Sequence, residues 1–443
     1  MASIKSPEKT EPENRETIKK SRKDGNKKWY RLDNAATIVP ATARGADTRV
    51  FRVVCELKEQ VDPAALQEAL DLTAEGFPHF NVYLRKGLFW YYLDGTDRRV
   101  KVEKESREAL APLYVPGRRN LLYRVFYFER RINLEMFHVL SDGTGAFLFF
   151  RRLILTYLSI TKGTPQGELE GDISSIAEQE DDAFRHFYSK QPQRSQLNRW
   201  MKVKAYQIRS PQDENMQSRL VEGIVSAKAF LALAKERKTT AGVFIVALYI
   251  EAVMASMSLQ DRKKPIVISV PVNLRQFFPS ATTRNFFGAI TIGFDPSSYD
   301  GNFATLLQSV KDSFAEQLTK ENIQNTMNSY SELKHMAFIK MLPLFIKDLG
   351  IQYYTGRTRR GTTSTLSNVG KVELPSEASQ YIDHFAGFMC SFNVQLCVVT
   401  FEDRMSFGAV SIYEDHQVLM NLFRKLTEMG LEVELATNDF DKV

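Results

Sequence analysis

A polar stretch near the middle of the sequence separates two regions in which strand-like and helix-like segments alternate. Residues 161–196 carry several glycines and prolines, with an acidic cluster at 178–182. Such a composition is typical of a connection rather than of a packed element. The chain has 443 residues, more than the roughly 250–300 at which a single hydrophobic core stops growing. The sequence therefore predicts two core-forming subdomains, at 29–160 and 201–443, joined by a crossover linker at 161–200.

The first region contains a single strand, two strand pairs and two helices. Asp62 and Pro63 open one helix, because an acidic cap followed by proline in the first turn is typical of a helix start. Alternating apolar and polar positions around short turns indicate the strand pairs. The predicted strands are 50–57, 80–84, 88–93, 121–128 and 132–139, and the predicted helices are 62–74 and 146–160.

The second region repeats this mixture. The run IVISVPV at 266–272 is continuously apolar, as expected for a strand covered on both faces. Because each region combines strands with covering helices, we predict a mixed-sheet α/β (α+β) architecture of two subdomains. The other predicted strands are 202–208, 219–225, 286–294, 362–366, 385–392, 394–402 and 405–413; the predicted helices are 226–237, 239–257 and 415–429, with an interrupted helical region at 303–349.

Composition restricts the classes of partner and compartment. Residues 1–28 are rich in Lys, Glu and Ser, so we predict a disordered basic tail. A solvated leader is favoured over a tail that touches a membrane or nucleic acid, and we expect no nucleic-acid partner. No run reaches the ~18 apolar residues of a membrane span, and no secretory signal is evident. Cys55, Cys390 and Cys397 form no C-x-x-C pair, which favours free thiols in a reducing, cytoplasmic compartment.

Several common catalytic patterns are missing from the sequence. It contains no G-x-x-x-x-G-K-[ST], G-x-G-x-x-G, G-x-S-x-G or H-E-x-x-H pattern, so the usual signals of nucleotide, dinucleotide, esterase and zinc peptidase chemistry are missing. The histidines show no metal-ligand spacing. We therefore expect neither a metal site nor a permanently bound cofactor.

One histidine lies in a suggestive setting. The apolar run 132–140 carries His138, and the chain then turns at Asp142 and Gly143 before an apolar helix. A lone histidine on an apolar strand is most often a satisfied core residue, but this context favours a functional site. Gly143 suggests a positive φ or a close backbone approach. Asp142 would be costly to bury without a cationic partner, and a helix N-terminus favours developing negative charge.

The pattern His138-x-x-x-Asp142-Gly143 resembles the signature of the CoA-dependent acyltransferase superfamily. That superfamily includes chloramphenicol acetyltransferase, carnitine acyltransferases, plant BAHD acyltransferases and nonribosomal peptide condensation domains. Further resemblances run in the expected order from about Trp29 to the C-terminus. They are Val270–Arg275 with Arg284–Gly288 (second-half strand and channel segment), Ser367–Gly370 (the S-N-x-G element of alcohol acetyltransferases), and Phe77–Val82 with Gly87–Tyr92 (bacterial members of that branch).

Two departures narrow the resemblance. Phe137 precedes His138, so the double histidine typical of condensation domains is absent. The D-F-G-W-G element of plant and chloramphenicol enzymes is also absent, with Ser367–Gly370 near its expected place. Both departures favour an alcohol acetyltransferase over a peptide-bond-forming domain.

The resemblance implies two chloramphenicol-acetyltransferase-like subdomains with an active-site channel between them. His138 would be the general base for direct attack of an acceptor hydroxyl on the thioester of acyl-CoA. Asp142 would support the histidine loop by pairing with Arg275. Ser367 or Asn368 would donate to the oxyanion, with Thr365 behind them. A turn that caps its own backbone is an equally good interpretation of Ser367 and Asn368.

The resemblance also implies the co-substrates. Arg357, Arg359 and Arg360 are candidates to bind the phosphates of CoA, although a solvated basic loop is the simpler interpretation of these arginines. The leading hypothesis is transfer from acetyl-CoA to an alcohol. The alternatives are a longer acyl chain, a carrier-protein donor, an amine acceptor, or a non-catalytic binding protein with a condensation-like fold. For Phe89, Trp90, Phe286 and Phe287, a core position is favoured over a position in the pocket.

Overall fold

The computed structural model describes residues 28–106, 108–167, 174–189, 200, 203–212, 218–335, 341–390 and 392–438, and omits the side chains of 329–335. The predicted N-terminal tail lies outside the described residues except for Lys28. Two parts of the predicted crossover, 168–173 and 190–199, also lie outside them.

Strands and short helices alternate along the described chain. The strands are β1 Trp29–Arg31, β2 Val50–Leu57, β3 Val82–Lys86, β4 Tyr91–Gly95, β5 Glu103–Lys104, β6 Tyr123–Phe128, β7 Arg131–Phe137, β8 Arg219–Ser226, β9 Ile266–Asn273, β10 Phe287–Phe294, β11 Ser364–Lys371, β12 Ile382–Met389, β13 Gln395–Phe401, β14 Arg404–Ser411 and β15 Glu434–Thr437. The α-helices are α1 Val39–Thr42, α2 Pro63–Glu75, α3 Gly143–Lys162, α4 Ile176–Gln179, α5 Ala183–Phe187, α6 Ala227–Glu236, α7 Ala241–Ala255, α8 Phe303–Gln317, α9 Lys320–His335, α10 Leu344–Arg359, α11 Ser376–Ser379 and α12 Gln417–Glu428.

The strands form three sheets. One has the order β12-β2-β7-β6-β5, a second has the order β10-β9-β11-β13-β14-β8-β15, and a small third sheet has the order β1-β4-β3. The second sheet is mixed, because β11 runs parallel to both β9 and β13 while the neighbouring pairs are antiparallel. The predicted mixed-sheet architecture of two subdomains is therefore confirmed.

The first sheet contains a strand from the far end of the chain. β12 pairs antiparallel with β2, so that Phe385 lies opposite Cys55. Phe385 and Phe401 belong to the hydrophobic core that otherwise consists mainly of the N-terminal region. The predicted subdomain at 201–443 thus supplies a strand to the sheet of the predicted subdomain at 29–160. The chain therefore runs from one sheet to the other, and the two sheets also pack against each other.

Local sequence signals account for several helix starts. Asp62 caps α2 by accepting hydrogen bonds from the backbone N–H groups of Ala64 and Ala65 at 2.8 and 3.2 Å, and Pro63 takes the first helical position. Thr240 caps α7, which is buried along most of its length. No single helix among the described residues is long and apolar enough to span a membrane; α6 and α7 pass that test only as a pair bent by 87°.

Three local predictions were wrong. Residues 203–208 form no strand, although the backbone N–H of Tyr206 donates to the carbonyl oxygen of Pro265, just before β9, at 2.8 Å. Helix α10 continues to Arg359, so Arg357 and Arg359 lie in its last turn rather than in a loop. The segment Ser367–Gly370 lies within β11 rather than after it, with a register shift between Asn368 and Gly370.

A buried charged group links the two large sheets. His384 on β12 contacts Glu222 on β8 through Nε2 at 3.0 Å and Asp383 through Nδ1 at 2.7 Å. The Glu222 carboxylate also accepts from Ser406 at 2.8 Å and pairs with Arg131 at 3.2 Å. Burial alone would lower the pKa of His384, but the hydrogen bonds to the two carboxylates raise it above its ordinary value.

Candidate active site

The strand β7 delivers His138 to the space between the two large sheets. His138 is the first residue after β7, and its backbone N–H donates to the carbonyl oxygen of Arg49 at 2.9 Å. The imidazole ring packs against Phe51 of β2 and Phe287 of β10, with both ring-centroid distances at 5.3 Å. The histidine therefore contacts a residue of each large sheet.

A hydrogen-bond chain fixes the orientation of the imidazole. The Nδ2 amide of Asn285 lies 3.1 Å from the Asp33 carboxylate and 3.0 Å from the carbonyl oxygen of His138. Because both of these partners only accept, the other amide atom, Oδ1, is the one that faces Nδ1 of His138 at 3.0 Å. Nδ1 must then carry the proton, and Nε2 keeps its lone pair.

The environment of His138 favours the neutral ring. Burial lowers the pKa of His138, and the nearby Asp142 carboxylate only partly opposes that effect. A neutral imidazole with a free Nε2 lone pair is the form that accepts a proton. Burial and the hydrogen bond to Asn285 together favour a neutral ring that is protonated on Nδ1.

Asp142 joins the histidine loop to the second subdomain. One carboxylate oxygen, Oδ1, caps α3 by accepting from the N–H of Gly145 at 3.0 Å. The other, Oδ2, accepts from Arg275 Nη1 and from the backbone N–H of Phe286, both at 2.8 Å. The ion pair predicted between Asp142 and Arg275 is therefore present. The hydrogen bonds of the Asp142 carboxylate go to Gly145, Arg275 and Phe286, so they hold the loop in place rather than the imidazole ring.

Arg275 fastens the loop that carries Asn285. Its guanidinium donates to the carbonyl oxygens of Thr282 at 3.1 Å and Arg284 at 2.7 Å, in addition to Asp142. The side chain of Arg275 is only 12% exposed. The single ion pair with Asp142 therefore positions both the histidine loop and the segment that presents the Asn285 amide.

The expectation for Gly143 was wrong. Gly143 does not have a positive φ, and a Cβ added there would meet nothing within 4 Å. The glycine that cannot carry a side chain is Gly145, where a Cβ would overlap the carbonyl oxygen of Thr283 and the hydroxyl of Ser141. The close approach of α3 to the loop before Asn285, rather than the turn itself, is what requires glycine.

A cavity of about 2660 Å³ lies between the subdomains. His138, Gly143 and Thr144 line it, so the positive N-terminal end of α3 faces the cavity beside the imidazole. The aromatic candidates divide between wall and core: Phe89, Trp90 and Phe287 line the cavity, whereas Phe286 is fully buried elsewhere.

The candidate oxyanion donors line the same cavity. Ser367, Asn368 and Thr365 all contribute to its wall from β11. The side-chain oxygen of Asn368 accepts from the N–H of Gly370 at 3.0 Å, as the turn-capping interpretation predicts, and its amide N–H groups donate to no other described residue. Burial raises the pKa of the Cys397 thiol next to Ser367 to about 12, so this cysteine stays a neutral thiol.

Only one of the three candidate phosphate ligands lines the cavity. Arg359 does so and stacks over Phe392 at 4.3 Å, whereas Arg357 and Arg360 do not line it. Arg44 and Arg49, which the sequence did not single out, also line the cavity. The side chains of Arg49 and Asp47 form an ion pair at 3.3 Å.

Two contributors to the site were missed by sequence reasoning. Asn285 was recognised only as part of a family-like segment, and Asp33 was not recognised at all. Asp33 is fully buried and accepts from the N–H of Ala36 at 2.7 Å in addition to the Asn285 amide. The available signal was an acid within the mostly apolar stretch 29–40, because an acid that becomes buried needs partners.

The fold was compared with known proteins. No family model and no curated protein sequence matches this chain. Solved structures do match. TRI101 of F. sporotrichioides, complexed with coenzyme A and T-2, has a TM-score of 0.63 at 10% identity, covering 92% of this chain and 99% of that one. The chain has the fold of the CoA-dependent acyltransferases and condensation domains.

Two further structures support the same fold. Polyketide synthase associated protein 5 from Mycobacterium tuberculosis has a TM-score of 0.57 at 14% identity, covering 90% of this chain and 96% of that one. The first condensation domain of the calcium-dependent antibiotic synthetase, in complex with a substrate analogue, has a TM-score of 0.57 at 14% identity, covering 91% and 97%. The fold implied by the sequence resemblance is confirmed.

Proposed function

We propose that this protein is an acyl-CoA-dependent O-acyltransferase, with acetyl-CoA and an alcohol as the leading pair of substrates. The observation that carries the proposal is the hydrogen bond between Nδ1 of His138 and Oδ1 of Asn285, from which the tautomer of the imidazole follows. Asn285 holds the proton on Nδ1, which leaves Nε2 as a base in a cavity shared by both subdomains. A similar fold binds coenzyme A together with T-2 in TRI101.

The proposed reaction needs only one proton acceptor. Nε2 of His138 takes the proton of the acceptor hydroxyl as its oxygen attacks the thioester carbonyl. The tetrahedral intermediate then collapses, the carbon–sulfur bond breaks, and the imidazolium returns the proton to the departing thiolate. The products are the ester and free CoA. A well-placed general base contributes about 10²–10⁴-fold to such a rate.

Neighbouring groups stabilise the charges that develop. The side-chain oxygen Oδ1 of Asn285 accepts from Nδ1–H throughout, so it stabilises the imidazolium that forms. For the oxyanion we propose the hydroxyl of Ser367 or the amide of Asn368, since both line the cavity. Asp142 and Arg275 are positioning residues in this scheme.

The arginines suggest how the donor would bind. We propose that Arg359, with Arg44 and Arg49, binds phosphate groups of the CoA donor, because guanidinium groups pair with phosphate in a bidentate manner. Arg357 and Arg360 are not needed for this role. The starter condensation domain of rhizomide synthetase, which shares the fold at 14% identity, was solved with C8-CoA, so a longer acyl chain belongs in the test.

The proposal is tested by measuring free thiol released from acetyl-CoA and octanoyl-CoA, with a panel of alcohols and amines. The variant His138→Ala should lose at least about 100-fold in turnover while keeping its thermal unfolding midpoint. The control is His186→Ala, because His186 is exposed and does not line the cavity. Turnover of His138→Ala at the unmodified rate would show that the base assignment is wrong. If no acceptor released thiol, the non-catalytic alternative would be favoured.

A further inference from the structure

Helix α10 presents an unusual apolar face to solvent. Phe345, Leu349 and Tyr353 are 59%, 63% and 75% exposed, and their spacing of four residues places them on one side of the helix. Ile346 is also exposed. Large apolar side chains scattered singly on a surface are ordinary, whereas a contiguous set usually marks a binding surface.

The same side of the helix also carries positive charge. Arg357 and Arg360 lie on this side at the C-terminal end of the helix, and both are exposed. Within the described residues, no carboxylate forms an ion pair with either arginine. The only acid of α10, Asp348, is buried and turned inward, where it accepts from Tyr91 at 2.9 Å and Lys86 at 3.3 Å.

A neighbouring hairpin extends this apolar surface. The carbonyl oxygen of Leu88, at the tip between β3 and β4, accepts from the N–H of Leu344 at 2.8 Å. Leu88 is 71% exposed, and Met341, just before the helix, is exposed as well. We refer to Leu88, Met341, Phe345, Leu349, Tyr353, Arg357 and Arg360 together as the α10 face.

The α10 face adjoins the cavity that holds His138. Ile346 and Tyr354 of the same helix line that cavity, and so does Phe89 beside Leu88. Phe345, Leu349 and Tyr353 do not line it. The helix therefore has one side on the cavity and another on solvent, so a molecule held at the α10 face would lie next to the cavity.

We propose that the α10 face docks onto an anionic membrane surface, and that the acceptor alcohol enters the cavity from the bilayer. The acceptor part of this inference rests on the proposed function. Aromatic and aliphatic side chains on one side of a helix, with arginines at the same level, are the composition that binds the interface of an anionic bilayer. An acidic protein partner would also suit the arginines, but so many large exposed apolar groups favour insertion among lipid chains.

The docking step is tested by flotation with vesicles of phosphatidylcholine, with and without roughly one-third phosphatidylglycerol. The full chain should bind the anionic vesicles and release them at high salt. The triple variant Phe345→Ser/Leu349→Ser/Tyr353→Ser should bind at least about tenfold more weakly. The variant Arg357→Ser/Arg360→Ser should bind the anionic vesicles about fivefold more weakly for each arginine replaced. The control Leu259→Ser removes an even more exposed leucine elsewhere and should bind as the unmodified chain does.

The acceptor step is tested by comparing thiol release with a short soluble alcohol and with a long-chain alcohol embedded in the vesicles. The triple variant should keep the unmodified rate on the soluble alcohol and lose at least about tenfold on the embedded one. Equal loss on both alcohols would contradict the proposal, as would vesicle binding unaffected by the triple substitution.

Other occupants of the α10 face give distinct results. Light scattering could show that the unmodified chain is a dimer and that the triple variant is a monomer. That result would assign the face to a second copy and overturn the proposal. If the chain bound no vesicles and the triple variant transferred an acyl group from an acyl carrier protein more slowly than the unmodified chain, the α10 face would be assigned to that carrier protein and the proposal would be overturned. Vesicle binding without thiol release from any acceptor would contradict the proposed function but not the docking face. Thiol release without vesicle binding would contradict docking alone.

Discussion

Replacement of Asp142 tests whether this residue supports the site or takes part in the chemistry. In Asp142→Ala, the buried guanidinium of Arg275 loses its carboxylate, and the N–H groups of Gly145 and Phe286 lose their acceptors. Breaking a buried ion pair from one side typically costs about 3–5 kcal/mol. Backbone carbonyls that also bind Arg275 reduce that loss, so we expect the lower end of the range.

The variant Asp142→Asn should be milder. Its amide can keep an oxygen toward Arg275 and Phe286 and turn its nitrogen toward Gly145, which sacrifices the helix cap but keeps the other two contacts. Loss of a cap costs about 0.5–2 kcal/mol, and loss of the formal charge opposite Arg275 adds to it. We expect a total of about 1–3 kcal/mol.

The two variants are measured by urea unfolding and by thiol release at a temperature where each is still folded. We expect activity to fall in the same order as stability, with alanine worse than asparagine. Asp71→Asn is the control, because the Asp71 carboxylate is 32% exposed, pairs with Arg99 at 3.5 Å and accepts only a long hydrogen bond from Gln67 at 3.3 Å, so its replacement should change little. An asparagine variant with unchanged stability and no activity would refute the supporting role and favour direct participation of Asp142.

Three further predictions concern other parts of the site and the sheet contact. Gly145→Ala should lower the free energy of unfolding by about 1–3 kcal/mol through overpacking, whereas Gly143→Ala should leave urea unfolding nearly unchanged; equal costs would contradict the assigned close approach. Asn285→Leu should lower kcat about tenfold with little change in KM, and ¹⁵N NMR should show the ring proton of His138 redistributed between its nitrogens; an unchanged tautomer would contradict the hydrogen-bond argument. Because the pKa of His384 is raised in the folded protein, its stabilising contribution should be complete below the ordinary histidine pKa and should be lost as pH rises through the raised value. His384→Gln should flatten that part of the stability profile, and an unchanged profile would exclude the imidazole as its source.

The sequence predicted the fold where local patterns were strong. The β3–β4 hairpin, the apolar strand β9 and the capped helix α2 all lie close to their predicted positions, because alternation, apolar runs and caps act over a few residues. The pairing of β12 with β2 was not predicted. Strand pairing between distant segments depends on which apolar edges meet in three dimensions, and no local pattern encodes that choice.

The ion pair of the candidate site could be predicted from the sequence, but the chain of hydrogen bonds that orients His138 could not. A buried acid after a strand needs a cation, so Asp142 and Arg275 could be paired from composition and resemblance. Asn285 and Asp33 lie far apart in sequence and meet only after the sheets have packed. The three arginines before β11 looked equivalent in sequence, but the end of α10 turns Arg359 toward the cavity and the other two away from it.

The far-end strand in the first sheet also sets an order of events during synthesis. Strand β2 has one edge on β7 and the other on β12, so its second edge stays open until residue 389 has left the ribosome. At about 5–20 residues per second, that interval lasts roughly 20–70 seconds. An open, apolar strand edge is a template for pairing with another chain. The first half of this protein therefore depends on delayed closure by its own C-terminal region, and a nascent chain that stalls in between would be prone to aggregation.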